Sequence, residues 1–450
     1  MSVCRPPSPS NSRFILFCAV MFYGFSISVS HALYLSTEQA YWGFFEPSLD
    51  ISKIVAIVIM LALPTLAMPI RFNRASSVVL LLLFLLVFIP AVVINLENHE
   101  DGMERYGFLM AALSLGMTLL FASVRAFGAE PSTAAPVFVP SKRIASLFLL
   151  AWLFCCVLLL AIYSDSMSLQ SLGDVYGQRA KGAATSLAVG YAQVYFAFLI
   201  NPFLFAYGLA TRRWLAVVTA LCGFLIAYMI TAERTIFLLP FAMFLLYQIV
   251  RFRFLAIRHV TTLILGFSTL TLLIAFFWRS VGAFEKLGFY FLTRLLAYPG
   301  VFVAQYYDLF SRLGYTYWSH VSGINRVVAA PNLLDYDGKW PILGRMLAER
   351  SFNVESNSNA SLFATDGAAA LGPLGIIVIS VLLACWLIVL DRASCGWNRR
   401  FVLPLLLPIA LALVNASFFT VLLSFGGIFW TLFFFGNRVT ADRAAPLKPK

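Results

Sequence analysis

The chain has 450 residues, of which 61% are hydrophobic, 16% aromatic and only 12% charged, yet its formal net charge is +12. Soluble domains run at roughly 45–50% apolar and about 25% charged residues, which excludes an aqueous globular fold. The composition requires an all-α, polytopic integral membrane protein, and the basic excess reads as a signature of membrane topology rather than of nucleic-acid binding.

A helix needs about 20 apolar residues to cross about 30 Å of hydrocarbon. Runs of that kind fall near 14–35, 54–70, 75–94, 106–124, 144–163, 187–209, 214–231, 235–250, 259–278, 367–390, 401–419 and 420–436, which makes twelve expected spans. The narrowest divisions are the Thr231–Arg234 turn and the Phe419-Thr420 boundary. A short basic Pro/Ser-rich segment precedes the first run, whose length exceeds a secretory h-region of about 7–15 residues and reads as a retained signal-anchor. Placing alternate loops on alternate sides puts 19 Lys and Arg inside and five in the short outer loops, with eight more in one long outer segment. Cytoplasmic loops retain positive charge, so both termini are expected in the cytoplasm. The chain then divides into nine spans over 1–278, a large outer loop at 279–366, three spans over 367–436 and a tail at 437–450. No cysteine falls on the outer side, so neither a disulfide nor a cysteine metal site is expected.

The outer loops carry the chemistry-bearing residues in three places. Loop 164–186 is rich in Ser, Gly and Asp and holds a basic knot of Tyr176, Arg179 and Lys181. Glu233 and Arg234 sit between two spans with almost no loop, and charges so close to hydrocarbon are functional candidates. The long segment 279–366 combines eight basic and seven acidic residues with sixteen aromatics, Trp318 among them, and His320 is its only histidine. Aromatic faces stack on sugar rings and arginine forks grip phosphate oxygens, so the mixture suits a glycan carried on a phospholipid. Within it, 288–310 is nearly span length but holds Arg294 and Pro299-Gly300. An interfacial or re-entrant helix is expected there, broken at Tyr298-Pro299-Gly300, with Arg294 directed into a cavity at headgroup depth. The segment ends in Asn357, Asn359, Asp366, Gly367, Gly372 and Gly375. Asp366 is expected to cap the following helix, and Gly372 and Gly375 to allow close helix packing.

That last motif, spaced Asn-x-Asn-x6-Asp-Gly-x-Ala-x2-Gly-x2-Gly, resembles one in Wzy-type O-antigen and exopolysaccharide repeat-unit polymerases. The resemblance extends to about twelve spans, cytoplasmic termini, a basic third outer loop and a largest fifth one. Arg179 with Gly190 and Arg312 with Gly323 also match the family's Arg-x10-Gly spacing, as Arg105 with Gly116 does elsewhere, and the Arg234 turn resembles a short arginine turn of the group. The resemblance implies a glycosyltransferase at the periplasmic face of the bacterial inner membrane. It would polymerise polyprenyl-diphosphate-linked repeats, with a chain-length regulator as partner and no nucleic acid. Arginines would stabilise the leaving diphosphate in the order Arg179, Arg294, Arg279, then Arg234 and Arg312, without metal or other cofactor. Glu233, Asp366 and His320 are the candidates for the base. Tyr176, Lys181, Arg312, Trp318, Asn357 and Asn359 would bind substrate. The alternatives are an O-antigen ligase, whose His-x10-Gly spacing fails here because Pro331 stands eleven residues after His320, and a flippase, which would show charges inside its spans and internal repeats.

Overall fold

The computed structural model describes residues 9–69, 71–129, 138–169, 176–182, 186–252, 256–331, 339–437 and 442–443. These are helical apart from connecting turns and one short ribbon, in which Phe138–Val139 pairs antiparallel with Asp442–Arg443. In chain order the helices are α1 (Ser12–Glu38), α2 (Ile51–Ala67), α3 (Ala75–Glu97), α4 (Gly102–Phe127), α5 (Lys142–Tyr163) and the short α6 (Tyr176–Lys181). They continue as α7 (Leu187–Thr211), α8 (Trp214–Thr231), α9 (Arg234–Arg251), α10 (Ile257–Phe277), α11 (Gly282–Leu313), the short α12 (Leu343–Phe352), α13 (Phe363–Ser394), α14 (Arg399–Asn415) and α15 (Phe418–Gly436). Eleven are long and apolar enough to cross a membrane, which makes the chain an all-α polytopic protein; α2 and α14 have 17 residues each.

Local chemistry sets the boundaries. Asp50 accepts the Lys53 amide at 2.8 Å at the start of α2, and the Ser141 and Ser186 side chains cap α5 and α7 in the same way. Ala232 in the left-handed region (φ 48°) stops α8 and lets α9 start two residues later, so the division at Thr231–Arg234 stands as expected. The last division falls earlier than expected, at Ala416-Ser417, because Ser417 and Phe418 are held by Asp366.

Side-chain ties sort the helix ends into two groups. At one end, Lys53 donates to the Ser48 and His99 carbonyls (2.8 and 2.7 Å), Trp278 donates to the Leu33 carbonyl, and Asp366 of α13 holds the start of α15. At the other, Arg74 donates to the Val124 carbonyl, Asp391 accepts from the Ser76 amide and hydroxyl, and Trp397 donates to the Phe434 carbonyl. We call these the wide-loop end and the basic end. Twelve rods, α1 to α5, α7 to α10 and α13 to α15, run from one end to the other, the 17-residue α2 and α14 included.

The rod α11 does not. Near its start Gly288 lies against Tyr34 of α1, and near its finish Asp308 binds Arg105 at the head of α4, so both of its ends lie at the wide-loop end. Length and composition alone would make it a span; its contacts make it a beam with both ends at the wide-loop end, packed along the Phe84–Glu97 part of α3. Its expected break is absent. The helix continues through Pro299 because residues 288–297 form a π-helix, whose wider turn moves the backbone ladder off the proline ring. The same device precedes Pro90 in α3 and Pro202 in α7, each at the second residue after a π segment. Beneath Pro299, Gly300 rests on the backbone of Pro90 and Ala91, where a Cβ would stand 2.5 Å from the Ala91 nitrogen.

Candidate functional site

The first half of α11 collects three arginines that are distant in sequence. The Arg234 guanidinium lies over the Tyr290 ring at 4.5 Å. Arg294, one turn along, lies between the rings of Phe289 (5.2 Å) and Tyr298 (5.3 Å). Arg279, just before the beam, covers Trp278 at 4.6 Å. The π-helix brings this about locally, because its longer turn places Phe289, five residues back, under the same side chain that reaches Tyr298 four residues ahead. Arg294 is exposed on the beam rather than enclosed in the expected cavity. A guanidinium lying on a ring is held by its face and keeps its N–H edge turned outward, the edge that grips a phosphate.

The short helix α6, which carries Arg179, is pinned beside the Arg234 turn by a residue that sequence reading passed over. Gln178 is buried and donates to the carbonyls of Ser166 (2.8 Å) and Met229 (2.9 Å), while its own carbonyl oxygen accepts from Ser168 (2.6 Å). Its neighbour Gly182 packs directly on the Ile230 carbonyl, so no side chain fits there. Met229 and Ile230 end the helix that leads into Glu233 and Arg234, and the backbone of Arg179 is therefore fixed next to that turn. The side chains of Tyr176 and Arg179 themselves lie outside the described residues; Lys181 is exposed. Nothing in the sequence marks Gln178 apart from its position inside the basic knot, since its ties to the Met229 and Ile230 carbonyls reach about fifty residues along the chain.

A second cluster surrounds Asp366. Asp366 is fully buried; it accepts from the Ser417 hydroxyl (2.8 Å) and the Phe418 amide (2.6 Å) and so caps α15, not its own helix. This corrects the expected cap, and it happens because residues 363–368 form another π segment that turns the carboxylate across to α15. His320 approaches it at 3.5 Å through Nε2, longer than a hydrogen bond, while Nδ1 meets the Thr316 hydroxyl at 2.8 Å. Tyr317 and Trp318 between them both adopt left-handed φ values, 48° and 60°, a strained pair for bulky residues. The Trp318 indole donates to the Asp366 carbonyl at 2.9 Å, which holds the turn in place. Gly372 (φ 58°, ψ −139°) supplies a kink in α13 that only glycine adopts readily, and Tyr315 and Tyr307 fill the space where its Cβ would be. Burial and the neighbouring Tyr307 push the Tyr315 hydroxyl up from its ordinary range, so it remains protonated. Gly375 packs on the Gly367 carbonyl within the kink, whereas Gly372 makes room for Tyr307 of α11, so the expected close helix approach is present at Gly372.

The remaining expected residues are dispersed. Asn357 and Asn359 are exposed, and Asn357 touches Gly344 at the start of α12. Arg312 is exposed and donates to the Asp308 carbonyl (2.9 Å), away from the Arg294 group. Glu233 is exposed at the turn it shares with Arg234. Among the described residues no group of three or more His, Cys, Asp and Glu could hold a metal ion. A buried pair joins α1 to α3: His31 Nδ1 lies 2.8 Å from Glu97 Oε1, both side chains fully buried, and Ser28 donates to the other Glu97 oxygen at 2.7 Å.

Searches of family models, curated proteins and solved structures return no match for this chain. Its function is therefore argued from the arrangement above: two ring-backed guanidiniums on one beam, a third arginine-bearing helix clamped beside them, and an exposed carboxylate at the shared turn.

Proposed function

We propose that this chain is a polymerase of polyprenyl-diphosphate-linked oligosaccharide repeat units, a Wzy-type enzyme of the bacterial inner membrane. It crosses the membrane twelve times with both termini in the cytoplasm, and α11 lies along the periplasmic surface. The observation that carries the proposal is that Arg234 lies over Tyr290, one turn from Arg294 on that beam, while the Arg179-bearing helix is tied to the end of the helix that leads into Arg234.

In the reaction, an acceptor sugar hydroxyl of one repeat attacks the anomeric carbon of the growing chain. The new carbon–oxygen bond forms as the bond to the diphosphate breaks, and the lipid diphosphate departs with the bonding pair. Charge grows on the diphosphate oxygens, so cations already fixed there lower the barrier without rearranging. Arg294 and Arg234 take that role, with Arg179 beside them. Glu233 accepts the hydroxyl proton, because it is the exposed carboxylate at the same turn as Arg234.

The test is the surface glycan of cells carrying Arg294→Ala or Arg234→Ala at normal membrane level. Loss of the long-chain ladder with accumulation of single repeats is expected. Unaltered ladders in both variants refute the proposal.

A further inference from the structure

Beside Arg294 stands an aromatic residue with no role in the reading so far. Trp42 belongs to the turn between α1 and α2, and its indole meets the Tyr298 ring at 5.4 Å, the same ring that Arg294 covers from 5.3 Å. Guanidinium and indole are therefore within about 11 Å of each other, bridged by one tyrosine. Phe352 at the end of α12 meets the indole at 4.8 Å and Tyr41 at 5.5 Å. The interplanar angles to the three rings are 62°, 69° and 46°, so none stacks parallel on the indole, which remains partly exposed.

The turn is built to hold this side chain still. Phe44 is fully buried between His31 and Tyr298, under which the His31–Glu97 pair is locked. Gln305 of α11 donates to the Trp42 carbonyl (3.0 Å), Asn98 donates to the Gly43 carbonyl (2.8 Å) and accepts from the Phe45 amide (2.7 Å). Ordinary aromatic packing would not need three side-chain hydrogen bonds to fix a surface turn.

We infer that Trp42 is a saccharide-stacking subsite for the sugar ring attached directly to the lipid diphosphate. The inference rests on the polymerase reading, which places the diphosphate at Arg294; a sugar ring a few bonds from that diphosphate reaches the indole. Apolar C–H faces of a pyranose pack on an indole at a gain comparable to that of an aromatic pair.

The test measures binding, not turnover, with the full chain in nanodiscs and two probes: undecaprenyl diphosphate, and undecaprenyl diphosphate bearing one N-acetylglucosamine. The wild type is expected to bind the sugar-bearing lipid about three- to tenfold more tightly than the bare one. Trp42→Leu, which keeps apolar bulk, is expected to erase that gain while leaving affinity for the bare lipid and the melting temperature unchanged, and Trp42→Phe to keep most of it. Arg294→Ala should weaken both probes together. Equal affinity of the wild type for the two probes, or a Trp42→Leu protein that retains the gain, overturns the subsite alone. A wild type that binds bare undecaprenyl diphosphate no better than undecaprenol overturns the polymerase reading beneath it.

Discussion

The two ends of the bundle differ in how their arginines are held, though not exclusively: Arg213 and Arg251 at the basic end also lie over rings, and Arg312 at the wide-loop end also donates to a carbonyl. At the basic end arginines spend their N–H groups on backbone: Arg74 donates to Val124, Arg392 to Phe127 and Arg400 to Arg251, each at the C-terminal end of another helix. Cations suit those positions because the last carbonyls of a helix lack partners and the helix dipole ends negative there. At the wide-loop end Arg234, Arg279 and Arg294 lie on aromatic faces instead. A guanidinium bound to carbonyls ties helix ends together, whereas one lying over a ring is also held by that ring's face. Residue type alone therefore says nothing about role; what the guanidinium rests on does.

The comparison can be broken from either side. The largest effect is expected from Arg294→Ala, with polymerisation lowered about 100-fold or more, the cost typical of removing one fixed stabiliser of a developing anion. Assays of chain elongation on lipid-linked repeats check it, and near-normal rates would mean that ring-backed arginines do not act on the diphosphate. At the basic end, Asp391→Leu removes the acceptor of two hydrogen bonds from Ser76, 2.8 and 2.7 Å long. It should cost about 2–3 kcal/mol of stability, read as a lower melting temperature in detergent, with elongation per folded molecule unchanged; an effect on elongation itself would erase the distinction between the ends. Gln178→Leu should lower elongation about tenfold by freeing α6 from the Met229 and Ile230 carbonyls, since loss of buried hydrogen bonds here costs on the order of 1–2 kcal/mol. The protein should still reach the membrane, and a Gln178→Leu enzyme as active as wild type would show that Arg179 needs no clamp. The smallest effect belongs to Arg279→Ala, about threefold, because Arg279 precedes the beam and its ring contact is exposed; steady-state rates at saturating substrate suffice to measure it.

Much of the helical scaffold was legible beforehand, because apolar run length is a local property that translates directly into long apolar helices. Arg294 and Pro299 argue in the sequence for an interfacial or re-entrant helix at 288–310, whereas α11 is long and apolar enough for a span while both of its ends lie at one end of the bundle. What failed was whatever depended on helix register. Pro299 and Gly300 read as a break because proline normally breaks an α-helix, and no sequence signal announced the π turn that removes the clash. Asp366 was expected to cap its own helix for the same reason. The site was only partly legible. Tyr290, Arg294 and Tyr298 recur at intervals of four and could have been read as one face of a helix. The Gln178–Met229 tie and the His31–Glu97 pair could not, since each spans about fifty residues or more and depends on tertiary packing.

The continuity of α11 has a consequence for its length. Arg294 and Asp308 ride on one unbroken helix, the first set against aromatic rings and the second joined to Arg105 at 2.8 Å and to Tyr106 at 2.5 Å. From Tyr298 onward each residue of the α-helix advances the azimuth by about 100°, so the Tyr298 ring that carries Arg294 and the Asp308 carboxylate keep a fixed phase as long as ten positions separate them. Deleting one residue between them would turn one out of alignment with the other, however conservative the change in chemistry. Over this stretch the chain should tolerate substitutions far better than changes in length, and the segment acts as a ruler whose divisions are angles.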